Sequence, residues 1–242
     1  MIFLIFASVP LFSDSKLFKY TDYNLTAFYK SSVQPGDAVF VRLSFETKNS
    51  KLIKTLSADS SESGNLEVYR ILDGGNLAEK ATAKSKFYKI ERNASKKFVN
   101  SVLLSGAPLS TYAKTGDYVA KISYSAFGKS ENIEIPFKII AKEFISETIP
   151  LNDSNTAIKT NTSSTRMNQI ERLNKILDTK NYGSVYETRA FTVPNPATRR
   201  TSFFGDRRVF AYSNGKSSTS LHYGRSEERR VGKESRSRWS PY

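Results

Sequence analysis

Residues 34–45 read QPGDAVFVRLSF, a turn signal followed by apolar residues at every second position. The opening Pro, Gly and Asp are residue types that favour tight turns. The apolar positions that follow are Val39, Val41, Leu43 and Phe45. Side chains two residues apart lie on the same face of an extended chain. The stretch therefore predicts a β-strand that buries one face.

Similar runs recur up to residue 142, separated by turn signals rich in Gly, Pro and Asp. The runs are Leu66–Ile71, Phe98–Leu104, Tyr118–Tyr124 and Ile133–Ile139. Because no long helical pattern separates them, residues 16–142 are predicted to form an antiparallel β-sandwich of the immunoglobulin-like kind. Pro136 lies inside the last run and has no backbone N–H, which indicates an edge strand or a bulge. Acidic residues occur singly here, so we predict a spacing or binding module.

The chain is basic and lacks cysteine. Its 242 residues include 37 Lys and Arg against 23 Asp and Glu, a net charge of +14 at pH 7. Such a charge suits nucleic acid, anionic lipid or the bacterial envelope as partners. Because the lysines are scattered through predicted strands and turns, we interpret the charge as a solvated basic surface and expect no nucleic-acid partner. The absence of Cys excludes disulfides and thiolate chemistry.

The N-terminus is an apolar run that is too short to span a bilayer. Residues 1–13 are mostly apolar and are followed at once by Asp14, Ser15 and Lys16. This pattern predicts a signal peptide over residues 1–15, with cleavage near Ser13 or Ser15, and hence a secreted or periplasmic protein. A buried N-terminal strand is the alternative. Nothing else in the sequence predicts a transmembrane segment.

Residues 143–184 are predicted to be a linker that contains one helix. The first part is rich in Asn, Thr and Ser, and apolar residues then fall on one helical face at Met167, Ile170, Leu173, Ile176 and Leu177. The helix is predicted over residues 166–178, capped by Ser164 or Thr165. We predict that this helix packs against one of the flanking domains, and binding of a partner is the alternative. Strand-like alternation returns at Tyr186–Phe191.

The segment from residue 201 to 224 combines two strands, a turn and the only histidine of the chain. It reads TSFFGDRRVF, then AYSNGKSSTS, then LHYG, and its turn is predicted at Asn214-Gly215. Gly215-Lys216-Ser217 invites comparison with a phosphate-binding loop. That interpretation fails because Phe210 stands where the upstream glycine is required.

Together these residues resemble the opening of the catalytic domain of lysostaphin-type zinc metallopeptidases. The matching positions are Phe204, Gly205, Arg207, His222 and Gly224. The resemblance implies that residues 185–224 begin a β-rich peptidase domain and that His222 is its first zinc ligand. It also implies a zinc cofactor, peptidoglycan as partner, and hydrolysis of peptide bonds in the bacterial cell wall. A catalytic zinc ion takes three protein ligands and one water molecule.

The chain departs from this family immediately after Gly224. Ser226 stands where the family has its aspartate ligand, and the later pair of histidines is absent. No catalytic residue of the family is therefore present, and we expect the chain to be an inactive fragment, with zinc belonging to the intact ancestor.

Residues 225–242 resemble a translated sequencing adapter and are predicted to be an artefactual tail that makes few contacts. A natural basic tail that binds nucleic acid or anionic lipid is the alternative. For the whole chain, the alternative function is a non-catalytic cell-envelope binding protein with an immunoglobulin-like domain.

Overall fold

The computed structural model describes residues 14–49, 53, 62–94, 98–179, 199–223 and 226–228. The chain divides into two compact units, Met1–Lys142 and Glu143–Tyr242. Taken together, the described residues are mainly strand, so the predicted mainly β fold class is confirmed. No helix of the described residues is long and apolar enough to cross a membrane.

The first unit consists of strands only, as far as it is described. They are β1 Asp14–Lys19, β2 Asn24–Tyr29, β3 Ser32–Val33, β4 Ala38–Thr47, β5 Ser63–Arg70, β6 Ala83–Lys86, β7 Tyr88–Ala94, β8 Val99–Pro108, β9 Gly116–Ala126 and β10 Lys129–Ile139. Within the described residues they form two five-stranded sheets, ordered β1-β2-β4-β8-β7 and β3-β10-β9-β5-β6. The pairs are antiparallel except for β3 with β10.

The two sheets enclose one hydrophobic core. In β4 every second side chain is buried, beginning with Val39 and including Phe45, as the alternation in residues 34–45 predicts. The opposite sheet contributes Leu66 and Val68 of β5 and the buried residues of β9 and β10 to the same cluster. The chain passes from one sheet to the other between β6 and β7. At that crossing the buried Phe87 donates its N–H to the carbonyl of Gly64 at 2.8 Å.

β1 includes the last two residues of the predicted signal peptide. Residues 1–13 of that prediction lie outside the described residues. Asp14 pairs with Tyr29, and Ser15 pairs with Phe28. Cleavage near Ser13 would leave this strand whole, whereas cleavage after Ser15 would remove two of its residues.

Pro136 occupies a stretch of β10 that is paired on one side only. It lies opposite Val119 of β9. On the other side β3 reaches only Lys138 and Ile139. Lys138 donates its N–H towards β3, and residue 136 faces the same way because strand donors alternate. The position without an N–H therefore falls where no ladder bond forms, as expected for an edge.

An aromatic cluster closes one end of the sandwich. Tyr124 donates its hydroxyl to Tyr20 at 3.0 Å and shares a hydrogen bond of 3.1 Å with the Tyr23 hydroxyl. The ring of Phe127 lies 5.5 Å from that of Tyr23, edge to face. Phe127 has a φ of +54°, and with Gly128 it forms the two-residue turn between β9 and β10. A positive φ strains a bulky residue by about 1–3 kcal/mol, which the burial of its ring offsets.

The second unit mixes short strands with helices. Its elements are β11 Ser146–Pro150, α1 Asp153–Lys159, α2 Ser164–Leu177, β12 Arg199–Ser202, β13 Arg207–Ala211, β14 Ser217–Leu221 and β15 Ser226–Glu228. The described residues form the sheets β11-β13-β14 and β12-β15. β11 runs parallel to β13, so residues 146–150 of the predicted linker share a sheet with the predicted peptidase segment. Tyr186–Phe191 lies outside the described residues.

α2 begins slightly earlier than the sequence predicts. Its N-cap is Ser163, whose side chain accepts from the backbone N–H of Arg166. None of its described residues is buried, and Leu177 is 69% exposed. Within the described part of its own unit, the apolar face of α2 is not buried. In the tail, Ser226–Glu228 pairs with Arg199–Ser202, and the other residues of the predicted tail lie outside the described residues.

The ring of Phe40 should leave no room for a side chain at Gly106, because the two residues lie opposite each other in the pairing of β4 with β8. A Cβ at Gly106 would lie 2.6 Å from a carbon of that ring. We expect Gly106→Ala to lower the free energy of unfolding by about 1–3 kcal/mol. In a Phe40→Ala background the same change should be neutral or slightly stabilising. Urea unfolding of the four proteins tests this, and an equal loss in both backgrounds would exclude the ring as the cause.

The aromatic cluster should make the protein sensitive to alkaline pH. Burial, followed by the hydrogen bonds to Tyr20 and Tyr23, raises the pKa of Tyr124 far above its ordinary value of 10.0. The unfolded state therefore releases the Tyr124 proton first, and stability that is complete below about pH 10 is lost as pH rises further. We expect Tyr124→Phe to flatten the decline of unfolding free energy above about pH 10. Tyr112→Phe, at an exposed tyrosine, is the matched control.

Candidate functional site

The residues of the family motif come together around one hairpin of the second unit. Phe204 and Gly205 lie in the turn between β12 and β13, and His222 follows β14 directly. β13 and β14 pair from Arg207 opposite Leu221 to Ala211 opposite Ser217. The predicted turn at Asn214-Gly215 joins them, with a φ of +80° at Gly215. The hairpin therefore returns His222 to the start of β13.

Two backbone hydrogen bonds join the two parts of the motif. The N–H of Gly205 donates to the carbonyl of His222 at 2.8 Å, and the N–H of His222 donates to the carbonyl of Asp206 at 2.8 Å. We call this pair of bonds the clasp. Gly205 has a φ of +91°, a conformation that favours glycine. The clasp fixes the backbone of His222 against the Phe204-Gly205-Asp206 turn.

Asp206 holds the turn in place and was missed by the sequence analysis. It is only 9% exposed. One carboxylate oxygen accepts from the N–H of Phe203 at 2.7 Å, and the other accepts from the N–H of Ile145 at 3.2 Å. The backbone N–H of Arg207 donates a hydrogen bond to the carbonyl of Ile145 at 2.8 Å. An Asp beside a turn glycine is a known signal for such bonds to backbone N–H groups.

Arg207 supports the same turn. Its guanidinium lies over the ring of Phe144, 4.6 Å from the ring centroid, a favourable cation–π distance. The same guanidinium approaches the carbonyl of Gly205 at 3.5 Å. Phe203 and Phe204 are 45% and 42% exposed. The motif positions Gly205 and Arg207 therefore have roles in the turn itself, whereas Phe204 presents its ring to solvent.

The end of the hairpin away from His222 contacts α1. The sequence analysis did not predict this helix. Asn152 caps this helix by accepting from the N–H of Asn155. The buried hydroxyl of Thr156 accepts from the N–H of Ser213 at 3.1 Å. The Lys159 ammonium lies 4.2 Å from the centroid of the Phe210 ring. These contacts fix the hairpin on one side.

The donor groups around His222 do not fit a catalytic zinc ion. His222 is the single histidine of the chain, and the described residues contain no group of three His, Cys, Asp or Glu side chains that could hold a metal. The carboxylate of Asp206 already accepts two backbone N–H groups. Gly224 lies outside the described residues, and Ser226 pairs with Ser202 in the β12–β15 sheet.

Comparison with known proteins assigns no family. No family model matches the chain, and no curated protein shows a significant match. The chain is similar to part of a family 123 glycoside hydrolase from Clostridium perfringens, with 14% identity, a TM-score of 0.25 and coverage of 60% of this chain and 29% of the hydrolase. It is also similar to the GAE domain of GGA2p from Saccharomyces cerevisiae, with 9% identity, a TM-score of 0.18 and coverage of 52% and 98%. TM-scores this low support neither a shared fold nor a shared function.

Asp206 should be the residue on which the turn depends most. Asp206→Ala leaves two backbone N–H groups without their acceptor, and we expect a loss of about 1–3 kcal/mol in the stability of the second unit. Faster hydrogen exchange at the N–H groups of Phe203 and Ile145 would show the effect. Glu171→Ala, at an exposed acidic residue of α2, is the control. Unchanged exchange at both amides in Asp206→Ala would contradict this role.

Proposed function

We propose that residues 185–224 are the opening segment of a lysostaphin-type zinc metalloendopeptidase domain. The ancestral protein hydrolyses peptide bonds in bacterial peptidoglycan and acts outside the cytoplasm. The chain as printed is an inactive fragment of it. The observation that carries this proposal is the clasp, because it brings Gly205 and His222, the two parts of the motif, into direct contact.

The clasp is the kind of support that a metal ligand needs. A zinc ligand must be held at a defined position, and the surrounding shell of hydrogen bonds normally provides that order. Here the backbone of His222 is fixed on both sides, by Gly205 and by Asp206. The rest of the ligand set does not fit zinc, so the function belongs to the intact ancestor and not to this chain.

We expect the purified chain to contain no stoichiometric zinc and to release no fragments from purified peptidoglycan. One imidazole with water in the other positions binds zinc weakly, whereas catalytic sites use three protein ligands. Metal analysis and a turbidity assay on cell-wall suspensions measure the two outcomes. Tight one-to-one zinc binding by this chain would contradict the assignment.

Restoring the genomic sequence after Gly224 provides the positive arm of the test. We expect the restored protein to hydrolyse peptidoglycan, to lose activity with a chelator, and to lose it completely with His222→Ala. Ser226→Asp in the present chain should not produce activity, because the second histidine ligand and the proton-transferring histidine are still missing. Lysis by the restored protein that survives His222→Ala would show that His222 is not a ligand.

The second candidate is a non-catalytic cell-envelope binding protein. The engagement of both Asp206 oxygens with backbone N–H groups favours it, because it gives the segment a packing role without metal. Sedimentation of the chain with insoluble peptidoglycan, unaffected by chelator and by His222→Ala, is the expected result for this alternative.

A further inference from the structure

The outer face of the β3-β10-β9-β5-β6 sheet carries a regular pattern of polar side chains. Its central residues alternate with buried neighbours such as Leu66, Ile122 and Ile133. We call the outward set the polar face; it comprises Ser63, Asn65, Glu67, Lys84, Lys86, Lys121, Ser123, Ser125, Ser130, Asn132 and Glu134. Strand register arranges these residues in rows across the sheet.

One row consists of charges that are balanced across the strands. Lys84 lies opposite Glu67, which lies opposite Lys121, which lies opposite Glu134. The ion-pair distances are 2.6 Å for Lys84 with Glu67 and 3.3 Å for Lys121 with Glu134. Tyr69 donates its hydroxyl to the other Glu67 oxygen at 2.9 Å. Although the chain carries +14, this row has no net charge.

The next row carries one positive charge, because the exposed Lys86 of β6 lies opposite Asn65 at the edge of the sheet. Asn65 lies opposite Ser123, which lies opposite Asn132. The side chains of these three residues are exposed and form no hydrogen bond within the described part of the chain. The following row is Ser63, Ser125 and Ser130, in which the last two hydroxyls lie 2.7 Å apart. Apart from Lys86, these two rows therefore present hydroxyl and carboxamide groups with unused donors and acceptors.

A groove runs along the strands across these rows. One concavity of about 290 Å³ is lined by Glu67, Lys121 and Glu134 of the charged row and by Ser123 and Asn132. A second, of about 210 Å³, is lined by Asn65 and the serine row, and also by Ser123 and Asn132. The two concavities share Ser123 and Asn132 and are therefore neighbours along the strands. From Ser63 to Glu67 the groove is about 14 Å long, at about 3.4 Å per residue.

We propose that the polar face binds a neutral glycan chain. Carboxamides and hydroxyls can donate and accept at once, which matches the hydroxyl and acetamido groups of sugars. The ion pairs hold Glu67 and Glu134 as fixed acceptors for sugar hydroxyls. The outward set carries a net charge of only +1, from Lys86 at its edge, which gives little attraction for nucleic acid or anionic lipid, and the scarcity of apolar side chains disfavours lipid tails. The proposal involves neither His222 nor zinc, and it stands independently of the peptidase assignment.

Titration calorimetry on the full chain tests this with two uncharged probes, chitohexaose and cellohexaose. We expect at least one to bind with a Kd on the order of 0.1 mM, and the affinity to stay within about twofold when NaCl is raised to about 0.5 M. Asn65→Ala with Asn132→Ala should weaken binding at least about tenfold, since both residues line the groove. Failure of both sugars to bind would overturn the proposal.

The matched control lies on the other sheet. Asn24 is exposed on β2, so Asn24→Ala should bind the sugar as the unmodified chain does. His222→Ala should also bind normally, which separates this site from the proposed peptidase segment. If the Asn65 and Asn132 double variant bound the sugar as tightly as the unmodified chain, the glycan would have to bind elsewhere. Loss of binding at high salt would show that charge, and not the hydroxyl and carboxamide groups, drives the interaction. Either result would overturn the proposal.

Discussion

The two sheets of the first unit bury their inner faces against each other, so each depends on the other for its core. The pairing of β4 with β8 lies at the centre of one sheet and extends over ten residue pairs, from Ala38 with Pro108 to Thr47 with Val99. Its inner side chains meet those of β5, β9 and β10 in one continuous core. This burial also determines which side chains face solvent. Because Ala120 and Ile122 point inwards, Lys121 and Ser123 must point outwards. The polar face is thus a consequence of the core.

The second unit depends on hydrogen bonds more than on apolar burial. The clasp, the Asp206 carboxylate and the parallel pairing of β11 with β13 are bonds to backbone groups. They explain why the turn requires glycine at position 205 and benefits from Arg207, without reference to a metal. The same turn would serve a zinc ligand at position 222. Gly205 and Arg207, on which the peptidase resemblance rests, therefore also stabilise the turn itself. His222 is the position that connects the resemblance to zinc binding.

The two proposals make different demands on the chain. Hydrolysis requires several donor groups at one point, and the described residues around His222 do not supply them. Glycan binding requires only a shallow groove and uncharged polar groups in register, which β5, β9 and β10 present. A loss of catalytic ligands in the second unit leaves the groove of the first unit intact. Binding to a polysaccharide could therefore be retained by a chain that hydrolyses nothing.

The sequence by itself determined the strands with clear alternation, the helix near residues 164–177 and the hairpin turn at Asn214-Gly215. In each case the signal is local, since a side chain's preference for burial or a glycine's tolerance of positive φ is a property of that position. Only the tertiary structure decided the parallel pairing of β11 with β13, the role of Asp206 and the balanced rows of the polar face. Those features depend on which distant residue lies opposite. Backbone donors and acceptors are alike for almost every residue type, so composition and spacing do not specify their partners.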